Sequence, residues 1–212
     1  MNRLFFLIRE EFQVYYPLIS TVMQSIPINM KITGSVIARL GSKRLTYKNI
    51  LPYKGVPLVV RAIQKLQESR LFDHVVLSTD SELIARTCYQ IKGISVLKRP
   101  EVLSTDEVPS VPVFQHILEN FPCDIHLNYN CNFPECDTSV FEESIDLAQQ
   151  FGESLSVPYA VWSQTKERLN NYGDFMKLPE PRFESDRIHP VDIHTMDDLL
   201  DSHRDNQSDF SW

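Results

Sequence analysis

The amino-acid sequence predicts a three-layer α/β/α domain on a mostly parallel, twisted sheet, and three observations predict it. Short apolar runs alternate with segments of roughly 10 to 13 residues whose apolar positions recur at helical spacing, the pattern of βαβ units. The first run is followed at once by a loop of glycine, serine and basic residues, and open α/β sheets bind ligands just outside the carboxyl ends of their strands. The charges are also unevenly divided. Residues 12 to 67 contain no Asp or Glu but hold Lys31, Arg39, Lys43, Arg44, Lys48, Lys54, Arg61 and Lys65, whereas residues 68 to 212 carry 26 acids against 11 bases.

Each element follows from its residues. Residues 32–38 form a short apolar strand through Ile32, Val36, Ile37 and Ala38, and residues 39–53 are its loop. Pro57 suits the first position of a helix, and Val59, Ala62, Ile63 and Leu66 repeat at i, i+3, i+4 and i+7, giving that helix one core face. Residues 73–78 are a second buried strand. Ser81 opens a helix with Ile84, Cys88 and Ile91 on one side, and 94–97 is a third strand. Val113, Phe114, Ile117 and Leu118 mark the next helix, and 124–127 the fourth strand. Asp137 and Thr138 can cap a helix carrying Phe141, Ile145 and Ala148. Residues 154–159 read as a fifth strand and 191–193 as a short last one. Thr195 then opens a helix with an acid three positions on, close to a capping box. Residues 167–189 show little periodicity, with Pro179, Pro181 and Pro190 around turns, and read as an irregular arm or lid.

Composition narrows the function. A chain of 212 residues with 42% apolar and 23% charged content suits one globular domain with a sizeable core. A net charge of −7 speaks against wholesale binding to nucleic acid or anionic membrane. No segment reaches the roughly 20 apolar residues needed to span a bilayer. The run Leu4 to Ile8 is too short for a secretory signal and is followed by Arg9, Glu10 and Glu11, so a cytoplasmic protein is expected. Residues 1–29 are set apart as an N-terminal extension, 30–204 as the domain and 205–212 as a tail. Four cysteines, Cys88, Cys123, Cys131 and Cys136, do not resemble a disulfide framework, and the spacing of Cys131 and Cys136 is not that of a zinc ribbon.

The loop Ala38-Arg39-Leu40-Gly41-Ser42-Lys43-Arg44-Leu45-Thr46-Tyr47-Lys48-Asn49 is the strongest chemical signal. Handling a nucleoside triphosphate requires neutralising about four negative charges and holding the leaving pyrophosphate. A turn with exposed backbone N–H groups and lysine or arginine heads does this. Gly41 lets the backbone approach, Ser42 adds a hydroxyl, and Arg39, Arg44 and Lys48 supply charge. Neither GxxxxGK[ST] nor GxGxxG occurs in the chain. Lys43 and Arg44 read equally as solvated surface charge, and Asp80 equally as a helix N-cap or a ligand group.

Residues 37–50 resemble the signature of the acylneuraminate cytidylyltransferases, the CMP-sialic acid synthetase family, whose pattern runs approximately A-R-x-G-S-K-R-L-x-x-K-N. The likeness continues through 71–85, 96–106 and 191–199, the last similar to the family's closing D-I-D-T segment. The resemblance implies a Rossmann-like nucleotidyltransferase fold and transfer of a cytidylyl group from CTP to a nonulosonic sugar acid, giving CMP-sugar and pyrophosphate. It implies that Arg39, Ser42 and Lys48 bind the triphosphate, with Arg39 and Lys48 stabilising charge at the α-phosphate. Ala38, Gly41, Arg44 and Asn49 complete the loop, Arg99 helps recognise the nucleotide, and Ser110 lies near the cytosine pocket. Asp192 matches the first aspartate of the pair that holds Mg²⁺ and is counted with Arg39 and Lys48 as catalytic.

Departures accompany the likeness. The second metal aspartate is replaced by His194, a poorer ligand for Mg²⁺ than for Mn²⁺. The family's glutamine segment after the fourth strand becomes 128–134, where Asn128 can stand in for the glutamine, and Pro109 breaks the small polar pair near Ser110. Between 163 and 191 the chain is shorter than the family's insert, which holds the sugar carboxylate and swaps across a dimer; Asn171, Gly173, Arg182 and Arg187 are what remain there. A homodimer is implied by the resemblance alone. The other readings are a catalytically degenerate homologue that binds nucleotide or a partner, and a different nucleotidyltransferase using another nucleotide or acceptor.

Overall fold

The computed structural model describes residues 30–42, 44–175 and 181–204. The segments set apart at each end (1–29 and 205–212), together with Lys43 and Pro179, lie outside the described residues. The described chain runs β1 (Ile32–Ile37), the hairpin β2 (Pro52–Tyr53) and β3 (Val56–Pro57), α1 (Leu58–Ser69), β4 (His74–Thr79), α2 (Glu82–Thr87) and β5 (Ser95–Lys98). It continues with α3 (Ser110–Asn120), β6 (Ile125–Tyr129), α4 (Ser139–Phe151), β7 (Glu153–Val157), β8 (Val161–Thr165), α5 (Lys166–Asn170), β9 (Arg182–Glu184) and α6 (Met196–Arg204).

Seven strands form one sheet in the order β5-β4-β1-β6-β8-β7-β9. β1 pairs in parallel with both β4 and β6, and β8 alone runs against its neighbours. The mostly parallel sheet expected from the sequence is thus present. β1 sits in its middle because its residues are buried on both faces, as a central parallel strand requires. The chain winds outward through β4 and β5, then returns through α3 to lay β6 on the other edge of β1. The carboxyl ends of β1 and β6 therefore lie side by side at the reversal of strand order, where open sheets form their ligand crevice.

The helices cover both faces. α1, α2 and α4 pack their buried residues (Val59, Ile63, Ile84, Phe141, Ile145) into one core with Ile32 and Val36 of β1 and Ile125, Leu127 and Tyr129 of β6. On the opposite face, Val111, Phe114 and Leu118 of α3 meet Leu155, Trp162 and Leu169, and Val113 and Ile117 meet Val76. Fully burying a side chain of this size stabilises by about 1.5–3 kcal/mol relative to exposure, so the two cores fix the sheet's position between the helices.

Several expectations are corrected. Residues 191–193 are not a strand: Ile193 is fully buried and its N–H donates to the carbonyl of Asn132 at 3.0 Å, anchoring the segment to a loop rather than to a sheet edge. The fifth strand ends at Val157, and a further strand, β8, follows a turn at Pro158-Tyr159. The arm expected at 167–189 contains the end of α5 and also β9, which pairs in parallel with β7. A single buried residue, Phe183, between exposed Arg182 and Glu184 left no alternation to read. The N-cap of α2 is Ser81, whose hydroxyl accepts from Ile84 N–H at 3.3 Å, rather than Asp80. The box at α6 does close, with aspartate in the place of glutamate: Asp198 Oδ2 accepts from Thr195 N–H at 2.7 Å, and Thr195 Oγ1 accepts from Asp198 N–H.

Gly34 makes β1 sensitive to a single methyl, since a Cβ there would lie 2.8 Å from the Phe72 ring. Gly34→Ala is expected to destabilise the fold by about 1–3 kcal/mol through overpacking, read as a lower denaturant midpoint with an unchanged m-value.

Candidate active site

The site is assembled from the loop after β1 and the loop after β6. Leu45 is buried in the main core and pins the middle of the first loop. Tyr47 then takes the left-handed conformation (φ 60°), turning the chain into a 3-10 turn at Lys48–Ile50. Asn49 ties both ends together. Its Nδ2 donates to the Arg39 carbonyl at 2.8 Å, and its Oδ1 accepts from Cys131 Sγ at 3.1 Å. The start of the loop is fixed by Ala38, whose N–H donates to the Ser78 carbonyl at 3.0 Å. Ser42 N–H is used within the loop, donating to Leu40 at 2.9 Å. Gly41 faces open space, and a side chain there would meet nothing within 4 Å.

Between the loops lies a cavity of about 210 Å³ whose lining includes Arg39, Ser42, Lys48, Asn49, Ser110 and Asn128. Six of the expected nucleotide-binding residues are therefore brought to one space from three separate stretches of chain. Asn130, Cys131, Asn132 and Tyr159 also line it and were not singled out from the sequence. The signal available was an asparagine at every second position, 128, 130 and 132, from the end of β6 into the loop after it.

Lys48 is central. Its Nζ donates to Asn132 Oδ1, and burial pushes its pKa below the usual lysine range, with Arg44 and Arg39 lowering it further and Asp192 raising it. The charges of Arg39 and Arg44 thus act against that of Lys48, an arrangement an anion relieves. Arg39 is ion-paired with Asp106. Arg44 Nη2 approaches His194 Nδ1 at 2.8 Å.

Asp192 and His194 stand at the rim. Burial raises the Asp192 carboxyl and lowers the His194 imidazole from their ordinary values, so the ring is neutral near pH 7. A neutral ring facing Arg44 accepts at Nδ1 and donates from Nε2. Nε2 lies 2.8 Å from Asp192 Oδ1 and 3.0 Å from Oδ2. Only the second contact is well aligned, and Oδ1 is left buried with no donor. Among the described residues no group of three or more His, Cys, Asp or Glu could hold a metal ion.

Ala38, Gly41, Arg44, Asp192 and His194 lie outside the cavity lining, and so do Arg99 and Arg187. Arg99 is buried and turned toward β4, donating to the Ser78 carbonyl at 2.8 Å and to its hydroxyl at 3.3 Å; burial lowers its pKa to about 10. It borders a neighbouring hollow with Asp80. Arg187 is held by Glu143 and by Ser139 Oγ at 2.9 Å.

A parallel α/β sheet with a cationic loop over the reversal of strand order is the architecture of a nucleotide-handling domain. Residues 34–166 match the family model described as Cytidylyltransferase, and the chain belongs to that family. It is 38% identical over 94 residues to an N-acylneuraminate cytidylyltransferase of Streptococcus agalactiae, covering 43% of this chain and 22% of that one. To a pseudaminic acid cytidylyltransferase of Campylobacter jejuni it is 37% identical over 90 residues, covering 42% and 39%. The matched stretch therefore spans about two-fifths or less of these relatives. The fold resembles a CMP:2-keto-3-deoxy-manno-octonic acid synthetase solved with CTP, with TM-score 0.69 and 14% identity over 85% of this chain and 100% of that one. It also resembles a Mycobacterium tuberculosis protein solved with manganese, with TM-score 0.60 and 17% identity over 82% and 98%. The three-layer nucleotidyltransferase fold is thereby established. No helix among the described residues is long and apolar enough to cross a membrane.

Two measurements test this geometry. Asp106→Asn is expected to free Arg39 and tighten inorganic pyrophosphate binding roughly two- to fivefold, the range of a partly exposed ion pair; calorimetry reads it, and weaker binding would show that Asp106 supports the loop instead. Lys48 is charged below its lowered pKa and neutral above it. Pyrophosphate affinity, followed by calorimetry as pH rises, is therefore expected to decline before an ordinary lysine would titrate, and Lys48→Arg is expected to remove that decline.

Proposed function

We propose that the chain transfers a cytidylyl group from CTP to a nonulosonic, sialic-type sugar acid, releasing pyrophosphate. The observation that carries the reading is the convergence of Lys48 and Arg39 on one cavity between the β1 and β6 loops, with Lys48 partly desolvated and Arg44 close enough to act on its charge. The names of the relatives, which act on N-acylneuraminate and pseudaminic acid, support the acceptor class.

In this reading the triphosphate lies along the loop, contacting Ser42, Arg39 and Lys48. The anomeric hydroxyl of the sugar acid attacks the α-phosphorus. A new P–O bond forms, the bond to the β-phosphate oxygen breaks, and the hydroxyl proton is lost to solvent or buffer. Charge develops on the α-phosphoryl oxygens and on departing pyrophosphate, and Lys48 and Arg39 are fixed beside both before reaction begins. Charge preorganised in this way supplies much of the rate enhancement of many enzymes. Ser110, Asn128 and Tyr159 form the opposite wall and take the base.

Asp192 fits a hard divalent cation, because its buried Oδ1 lacks a donor and Mg²⁺ is commonly held by one or two carboxylates plus substrate phosphates. Bound there, Mg²⁺ or Mn²⁺ would compensate phosphate charge. His194 does not fit as a ligand in this arrangement: Nδ1 is engaged by Arg44 and Nε2 by Asp192. It serves instead to hold the carboxylate. A cytoplasmic location and a homodimer belong to the same reading. The second reading, a nucleotide-binding homologue without turnover, is favoured by His194 standing at the second metal position and by the fixed Arg187.

Purified protein with CTP, a divalent cation and a panel of nonulosonic acids is expected to release pyrophosphate. Lys48→Ala is expected to lower turnover roughly 10²- to 10³-fold, as loss of one preorganised donor does. CTP binding with no turnover across the panel would favour the second reading, and turnover of Lys48→Ala within twofold of native would remove the loop from the chemistry.

A further inference from the structure

Behind the cavity wall a line of polar side chains crosses three strands inside an apolar core. Ser35 of β1, His126 and Asn128 of β6 and Gln164 of β8 are each no more than 1% exposed. Their order follows from register, since Ser35 pairs with Asn128 and His126 with Gln164. Ser35 Oγ lies 2.8 Å from His126 Nε2 and donates to Asn128 Oδ1 at 3.2 Å, while His126 Nδ1 lies 3.1 Å from Gln164 Oε1. The Phe114 ring sits 4.8 Å from the imidazole and seals the line beneath α3. Only Asn128 reaches the cavity.

Buried polar groups in an apolar core destabilise unless each is satisfied, so the direction of the line is determined by counting donors. If Ser35 gives its only proton to Asn128 Oδ1, its oxygen must accept from His126 Nε2–H. A neutral ring then has a bare lone pair at Nδ1 and requires a donor, which is the Gln164 NH₂ group. As placed, Gln164 points Oε1 at Nδ1, which together with the Ser35–Asn128 bond would leave the ring with two protons in full burial, and its Nε2 is a buried donor without a partner; turning the amide over by 180° puts the NH₂ group on Nδ1 and removes both faults. The far end agrees: the Asn128 and Ser110 side chains hydrogen-bond the Tyr159 hydroxyl, which an Asn128 NH₂ group can donate to once its Oδ1 is taken by Ser35.

We propose that Gln164, His126 and Ser35 are positioning residues forming a one-way hydrogen-bond relay that locks the Asn128 amide with its NH₂ group toward the cavity, so that this wall selects a substrate base offering an acceptor atom there. The inference rests on the nucleotide reading for the identity of the ligand, and on the core alone for the relay. A ring nitrogen that accepts in cytosine is a donor in uracil, so the relay gives a preference for CTP over UTP. The opposite relay, with His126 protonated at Nδ1, turns the Asn128 carbonyl to the cavity and reverses that preference. The tautomer of one buried ring is thus coupled to the polarity of the base site.

The test uses the full chain. Nitrogen-15 imidazole spectra, with His126 assigned against His126→Asn, are expected to show a neutral ring protonated on Nε2 from about pH 5.5 to 8.5, since burial lowers its pKa to about 4. A proton on Nδ1, or titration like an ordinary histidine, overturns the relay. Ser35→Ala, checked for unchanged thermal unfolding, is expected to raise the KM for CTP about tenfold, more than it lowers kcat, and to narrow the CTP-over-UTP ratio. A KM within twofold of native with the ratio intact overturns the positioning role. If the native protein neither binds nor turns over CTP, the proposed function fails, while the imidazole spectra still decide the relay.

Discussion

Lysine charge held half inside the protein, with a neutral amide as its direct partner, is the constraint around which the site is arranged. Lys48 Nζ meets Asn132 Oδ1 rather than a carboxylate, so the ammonium is oriented without being neutralised. Burial and the nearby Arg39 and Arg44 all act against its charge. A structure that keeps like charges together in this way stores a preference for an anion, because binding one relieves desolvation and repulsion together. Had Asp192 reached Lys48 directly, the pair would have satisfied itself. Instead Asp192 is turned to His194, and His194 to Arg44.

Keeping that charge in place requires a loop stiffer than its sequence suggests. Leu45 inserts into the core, Asn49 bridges the Arg39 carbonyl and Cys131 Sγ, and the 3-10 turn puts Lys48 one residue from that bridge. From the other side, the backbone of Ile193 is bonded to Asn132, and the capping box of α6 fixes the residue after His194. The segment from 191 to 195 is therefore a brace rather than a strand. It links the acid at the rim to the asparagine that orients the lysine, so distant parts of the chain share one geometry.

The legible part of the sequence was whatever repeats. Helical spacing in 59–66 and 113–118 and the apolar runs at 32–38 and 73–78 gave the layers, and the basic loop after the first run gave the site's location. What was not legible depended on contacts between segments. β8 was hidden because β7 and β8 form a single stretch interrupted only by Pro158-Tyr159-Ala160, and β9 because its one buried residue, Phe183, carries no period. Asn132 and Tyr159 entered the site through tertiary placement, which local pattern does not encode. Arg99 matched a motif, yet its guanidinium is directed at Ser78 and away from the cavity lining, a direction that no spacing argument specifies.

Two buried polar clusters show how such a core divides its tasks. Ser144 Oγ hydrogen-bonds Ser154 Oγ at 2.8 Å and Ser163 Oγ at 2.7 Å beneath α4, and Ser154 Oγ closes back on the Ser144 carbonyl. Every contact there is internal, so the cluster does no more than seat a helix on β7 and β8. The line through Ser35, His126 and Gln164 differs in one respect: it ends on a side chain that lines the cavity. A closed serine cluster has no orientation to transmit, since each hydroxyl can rotate to suit its neighbour. A line containing an imidazole and two amides has a direction, because each of those groups distinguishes its donor from its acceptor. Placing such a line through the core sacrifices apolar packing in the most stable part of the sheet. Stability alone gives no reason to prefer it over a hydrophobic stripe at the same positions, whereas fixing one amide at the wall of the cavity does.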